Sequence, residues 1–139
     1  MVRSILAVVA GVAVASLVIW LLELAATVVY PPPPGLDFSD ASAVRAAMEK
    51  IPFVALVCVL AAQTIGTFSG AWLAASIARS SQGQCALVVG VLVMLAGIGN
   101  MLMIPHPVWF WVASLLLYLP SAYLGGLSAR CVAAWKKPA

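Results

Sequence analysis

Four long apolar runs, separated by short polar or proline-containing joints, make up most of the chain. They cover residues 4–30, 51–78, 85–104 and 108–129. Crossing the ~30 Å hydrocarbon layer takes about 20 residues in a helix, so each run is long enough. None of them alternates polar and apolar positions, and continuous runs of this length predict helices rather than strands. Residues 31–50 follow a different rule. After Tyr30 come Pro31, Pro32, Pro33, Pro34 and Gly35, which end the first helix and favour a stiff polyproline II segment. Phe38, Ala41, Val44, Met48 and Ile51 then recur at three- and four-residue steps, with Asp37, Asp40, Arg45 and Glu49 on other faces. That spacing predicts a short amphipathic helix lying on the outer membrane surface, or a lid over the outer mouth of the bundle. The expected fold is an all-α integral membrane protein with a single membrane domain over residues 1–139. It is a four-transmembrane-helix bundle with a short amphipathic surface helix between spans one and two.

Composition narrows the classes further. Of the 139 residues 65% are hydrophobic and only 8% charged, where a soluble domain is about half apolar and a quarter charged. Seven basic and four acidic side chains cannot cover a water-facing surface, which excludes a soluble enzyme, a nucleic-acid-binding domain and a disordered tail. The net charge of +3 is no nucleic-acid footprint, because the basic residues stand singly at the ends of apolar runs. Arg3 followed by an apolar run and Ala13-Val14-Ala15 resembles a signal peptide, but the run continues to Tyr30, so a retained first span is expected. Arg3, Arg79, Arg130, Lys136 and Lys137 fall on one side, and Arg45 and Lys50 on the other. The excess places both termini in the cytoplasm, in what would be a bacterial inner membrane. Cys85 and Cys131 then lie at the cytoplasmic ends of their spans and Cys58 lies inside span two, so no disulfide is expected. The partners implied are the lipid bilayer and a homo-oligomer or larger membrane complex, without nucleic acid.

Helices in lipid associate through close packing of small residues, since lipid tails are as apolar as leucine. Ala7, Gly11 and Ala15 form such a stripe on span one, and Gly66, Gly70, Ala74 and Ala78 on span two. Ser121, Gly125 and Ala129 form a third on span four. These stripes pack the bundle internally or present one face to a second protomer. Spans two and four also match at an offset of 55 residues: Pro52 with Pro107, Leu60 with Leu115, Gly70 with Gly125, Ala74 with Ala129. A duplication would make them parallel repeats. Pro120 should kink or locally unwind span four, with Ser121 helping to satisfy the freed carbonyl. Tyr30, Trp109 and Trp111 read as headgroup-level anchors.

Glu23 is the one ionisable side chain within the apolar spans, about 10 Å inside the outer boundary at 1.5 Å per residue. A charged carboxylate at such a depth costs at least ~2–3 kcal/mol unless paired, hydrated or protonated, and no Lys or Arg shares its level. Asn100 near the outer end of span three lies at a similar level. Gln63, Thr64 and Thr67 of span two, with Tyr118 and Ser121 of span four, lie deeper. Together they could form a polar seam running inward from Glu23, or each could serve as interhelical hydrogen-bond glue. His106, between Pro105 and Pro107, could pass protons toward Glu23. The two could also form an acid–base pair, the only catalytic arrangement available. Metal ligands at helical or loop spacing, a nucleotide loop, a Ser–His–Asp set and a haem motif are all missing. Neither a cofactor nor a metal is expected, and no enzyme.

In a four-span chain, Val18-Ile19-Trp20-Leu21-Leu22-Glu23-Leu24 resembles the first helix of the small multidrug resistance transporters. The resemblance is confined to that segment, and the proline run and surface helix after span one depart from that family's short loops. Two functions compete. One is an oligomeric transporter or channel with Glu23 as proton or cation site, with Asn100 and His106 nearby. The other is a non-catalytic accessory or assembly subunit of a larger complex. The orientation is directly testable: in intact cells a cysteine introduced at Ser39 should react with an impermeant reagent, and one at Ser81 should not. The reverse pattern overturns it.

Overall fold

The computed structural model describes residues 2–31, 40–78 and 81–135. Five helices follow one another: α1 (Val2–Val29), α2 (Ala41–Lys50), α3 (Phe53–Ile77), α4 (Gln82–Met103) and α5 (Val108–Trp135). All but α2 are long and apolar enough to cross a membrane. The protein is thus an all-helical four-span membrane bundle. Two boundaries move by three residues or more from the sequence expectation. α4 begins at Gln82 and α5 runs on to Trp135, since neither flank contains a residue that stops a helix when the apolar run ends. Most large apolar side chains remain on the outside, Leu6, Leu17, Leu116 and Leu124 among them, as a bilayer requires.

The core consists of small residues. Ala7, Ala71, Ala74, Ala75, Val89 and Ala122 are fully buried. α3 is the central element, touching α1, α4 and α5, whereas the backbones of α1 and α5 do not approach each other among the described residues. One side of α3 receives α1 antiparallel. A Cβ on Gly70 would run into the Gly11 carbonyl and sit 2.7 Å from Ala15 Cβ, and one on Gly11 would sit 2.7 Å from the Gly70 carbonyl. The adjoining side receives α5, where a Cβ on Gly125 would lie 2.5 Å from the Phe68 carbonyl. α4 closes against α5 through Gly90 beside Ala122 and Gly126 beside Ala86. All three small-residue stripes are therefore engaged inside one chain. The match between spans two and four does not extend to packing, since Gly70 meets α1 while Gly125 meets α3 rather than α4.

α2 caps the other end of the bundle. Asp40 is its N-cap: its carboxylate accepts from the Ser42 amide at 2.8 Å and the Ala43 amide at 3.4 Å. The Ser42 hydroxyl, which donates to the same carboxylate at 2.7 Å, and then the two amides hold the Asp40 carboxyl below its ordinary range. Val44 and Ala47 are buried, and Met48 and Ile51 pack on Leu56, Met101 and Phe110. Through Met48, α2 thus meets a cluster built from the ends of α3, α4 and α5 instead of lying only on lipid. Phe38, the proline run from Pro32, Arg79, Lys136 and Lys137 lie outside the described residues. At the terminal end, Arg3 Nε donates to the Ile77 carbonyl at 2.7 Å, satisfying one of the last acceptors of α3.

Pro120 does not unwind α5, which is helical on both sides of it. Ser121 Oγ donates to the Leu117 carbonyl at 2.6 Å, whereas the carbonyl freed by proline is that of Leu116, four residues before it. The three cysteines are free thiols. Trp109 packs against Phe53 with ring centroids 4.8 Å apart. Gly70→Leu should force α1 and α3 apart and destabilise the protein by about 1–3 kcal/mol, the range for overpacked cores. Thermal unfolding in detergent checks it, with Gly99→Ala as control, since a Cβ at Gly99 meets nothing within 4 Å. Unchanged stability of Gly70→Leu would contradict the packing.

Candidate functional site: an open cleft between α1 and α4

α1 and α4 run in the same direction and meet at the terminal end. Ser4 Oγ and Ser81 Oγ are 3.2 Å apart, and the Cys85 thiol reaches the Ser4 carbonyl at 4.0 Å. A Cβ on Gly11 would stand 2.9 Å from Val89. Toward the α2 end an open cleft of about 300 Å³ lies between the two helices. Val12 and Val93 line its inner end and Glu23 and Asn100 its outer one; Trp20 and Leu92 form part of its walls. Trp20 and Leu92 are also exposed, so the mouth of the cleft opens sideways, toward where lipid would lie.

Gln63 of α3 and Tyr118 of α5 form the floor, 6% and 2% exposed. Each is held in a defined way. Ser114 Oγ, itself buried, donates to Gln63 Oε1 at 3.2 Å, which leaves the two amide protons of Gln63 for the cleft. The Tyr118 hydroxyl lies against the Cα of Gly97, where a Cβ would overlap it. Glycine at position 97 is what lets the phenol reach the cleft.

Glu23 lies one turn beyond Ile19, whose side chain packs against Gly66 of α3. Its carboxylate has no hydrogen bond or charged partner among the described residues, and no cationic side chain lines the cleft. Arg3, Arg45, Lys50 and Arg130 all lie at helix ends or on α2. Asn100 is exposed on the facing wall. The cleft thus offers a carboxylate, two carboxamides, a phenol and the Ser16 hydroxyl around a partly apolar volume. Such a set can take a proton or hydrogen-bond a small cationic group.

The remaining candidates lie elsewhere. Thr64 and Thr67 turn their hydroxyls onto the carbonyls of Leu60 and Gln63, 2.8 Å and 2.7 Å away in their own helix, and Ser121 does the same on α5. None of the three lines the cleft, so the polar seam reduces to Glu23, Asn100, Gln63 and Tyr118. Gly11, Gly66, Gly70 and Gly125 are helix-packing positions. His106 is not a cleft residue either. Its ring stacks on Phe110 with centroids 4.7 Å apart, and Nδ1 donates to the Ile104 carbonyl at 2.7 Å. Burial lowers its pKa below the ordinary 6.5, and the hydrogen bond to Ile104 opposes that only in part. Ser16, Trp20 and Ser114 escaped the sequence reading; the four-residue step from Ser16 to Trp20 was the signal, since both share the helix face that turns Glu23 to the cleft. No group of three or more His, Cys, Asp or Glu residues that could hold a metal ion occurs among the described residues. Comparison with protein-family models, with curated proteins and with solved structures finds nothing that this chain matches.

Proposed function

We propose that this protein is a small membrane transporter in which Glu23 accepts a proton or a small cation within the α1–α4 cleft. The observation that carries the reading is a carboxylate standing in an open cleft without a cationic partner, flanked by fixed neutral hydrogen-bonding groups. An intramembrane carboxyl in such surroundings is a functional site by default, because a merely structural carboxyl would be paired or sealed. The centre of the bundle is filled by Thr67, Ala71, Ala74, Val89 and Ala122, all fully buried. Among the described residues a single copy therefore has no axial pore, and any path follows the cleft, completed by lipid or by a second protomer. That favours a carrier working as an oligomer over a channel. The setting that goes with it is a bacterial inner membrane with both termini in the cytoplasm, and a role without covalent catalysis.

A second reading, an accessory subunit of a larger membrane complex, draws support from the sideways opening of the cleft. α1 buries only Ala7, Gly11 and Ala15, so most of its surface is free to meet another protein's helix. The two readings part on one substitution. Glu23→Gln keeps the shape and most hydrogen bonding but removes the charge. As a transport site, Glu23→Gln should fold normally and abolish proton- or cation-dependent flux in liposomes. A variant that is more stable and transports as before would make Glu23 a structural carboxyl and favour the accessory role.

A further inference from the structure

At the α2 end, the two facing walls of the cleft each carry one polar side chain without a hydrogen-bond partner among the described residues, Glu23 on α1 and Asn100 on α4. We propose that the open cleft is one state of a gate, and that in the other state α1 leans onto α4 and protonated Glu23 pairs with Asn100. The proposal rests on the reading of Glu23 as a proton or cation site and adds the partner and the movement.

The first support is how α1 is held. Its buried residues, Ala7, Gly11 and Ala15, all lie in its first half. The contact they make with Gly66, Gly70 and Ala74 is a seam of small side chains and backbone, without interlocking ridges. α4 is tied to α1 at the terminal end, through Ser4 with Ser81 and Gly11 with Val89. From Ser16 onward no residue of α1 is fully enclosed, and the last to pack on α3 is Ile19, over Gly66. A helix held as far as Ile19 and free beyond it can swing its outer end, which carries Glu23.

The second support is the chemistry of the two groups. A neutral carboxyl and a carboxamide complete each other: the Glu23 O–H donates to Asn100 Oδ1, and Asn100 Nδ2 donates back to the carboxyl C=O. Closed in that way, both groups meet their needs without water, which suits a site beside lipid. A carboxylate has no proton to donate and several lone pairs to fill, so it draws water and keeps the cleft open. The proton comes from water reaching Glu23 at the α2 end of the cleft and returns to that water when the Glu23 O–H bond breaks. Among the cleft residues Tyr118 of α5 is the only other titratable group; α3 and α4 contribute the neutral amides Gln63 and Asn100. Glu23 alone therefore sets the protonation state of the gate.

Distance measurement between spin labels tests this. In a chain with Cys58, Cys85 and Cys131 replaced by alanine, labels go on Leu24→Cys of α1 and Met103→Cys of α4, both exposed positions. The protein is held in lipid nanodiscs at pH 5 and pH 9. The expected result is a distance shorter at pH 5 by about 3 Å, roughly one water layer. Glu23→Gln should show the short distance at both pH values, because its amide pairs with Asn100 without a proton. Asn100→Leu, at an exposed position that does not threaten folding, should show the long distance at both. A single distance indifferent to pH overturns the gate, and so does a short distance that survives Asn100→Leu. If flux depends on Glu23 while the distance stays fixed, the gate fails and the site stands. If the distance moves while Glu23→Gln transports normally, the gate stands and the site reading fails.

Discussion

Along Gly11, Ala15, Gly70 and Ala74 nothing larger than a methyl group separates the backbones of α1 and α3, and one turn on, Ile19 fills the space that Gly66 leaves. In a bilayer there is no hydrophobic gain from bringing helices together, so the favourable term is van der Waals contact at short range. That contact is available only where side chains are absent. α3 satisfies the condition twice, toward α1 and toward α5, and so becomes the centre of the bundle. With α1 and α5 on different sides of it, α4 has to serve both. It packs closely on α5 along Ala86, Gly90 and Gly97 and meets α1 closely only near Ser4 and Gly11. The cleft is what remains.

The floor of that cleft is more ordered than its walls. Gln63 is fixed by Ser114, and Tyr118 is admitted by the missing Cβ of Gly97. Both come from α3 and α5, the firmly packed pair. Glu23 and Asn100 come from the pair that is joined at one end. In the proposed gate, a rigid floor with a movable wall would give the carboxyl two different surroundings at little cost in packing.

The length of the uninterrupted apolar runs made the four spans legible, and the glycine and alanine spacing identified the faces that meet. The depth of Glu23, Asn100, Gln63 and Tyr118 was also readable by counting residues from the helix ends. What counting could not give was direction around each helix. Thr64, Thr67 and Ser121 lie at suitable depths, yet a threonine or serine in a helix always has its own i−4 carbonyl within reach, and here each takes it. His106 lies close to Asn100 in sequence, but the turn folds its ring onto Phe110. The 55-residue match between Gly70 and Gly125 reflects a shared need for small residues, not a shared neighbour. For α2, the capping aspartate Asp40 marks the start more sharply than the apolar periodicity did, and burial of Val44 and Ala47 shows a face meant for protein.

Glu23 stands open at its depth in the bundle and unpaired among the described residues, and the proposed function depends on that. Treating the protein in native membranes with a hydrophobic carbodiimide, which attacks a protonated carboxyl from the lipid phase, and locating the adduct by mass spectrometry measures this directly. Modification at Glu23, suppressed when a water-soluble amine cation is present in excess, is the result expected of an open cleft. No adduct at Glu23 at any pH would mean a sealed packing residue and would contradict it.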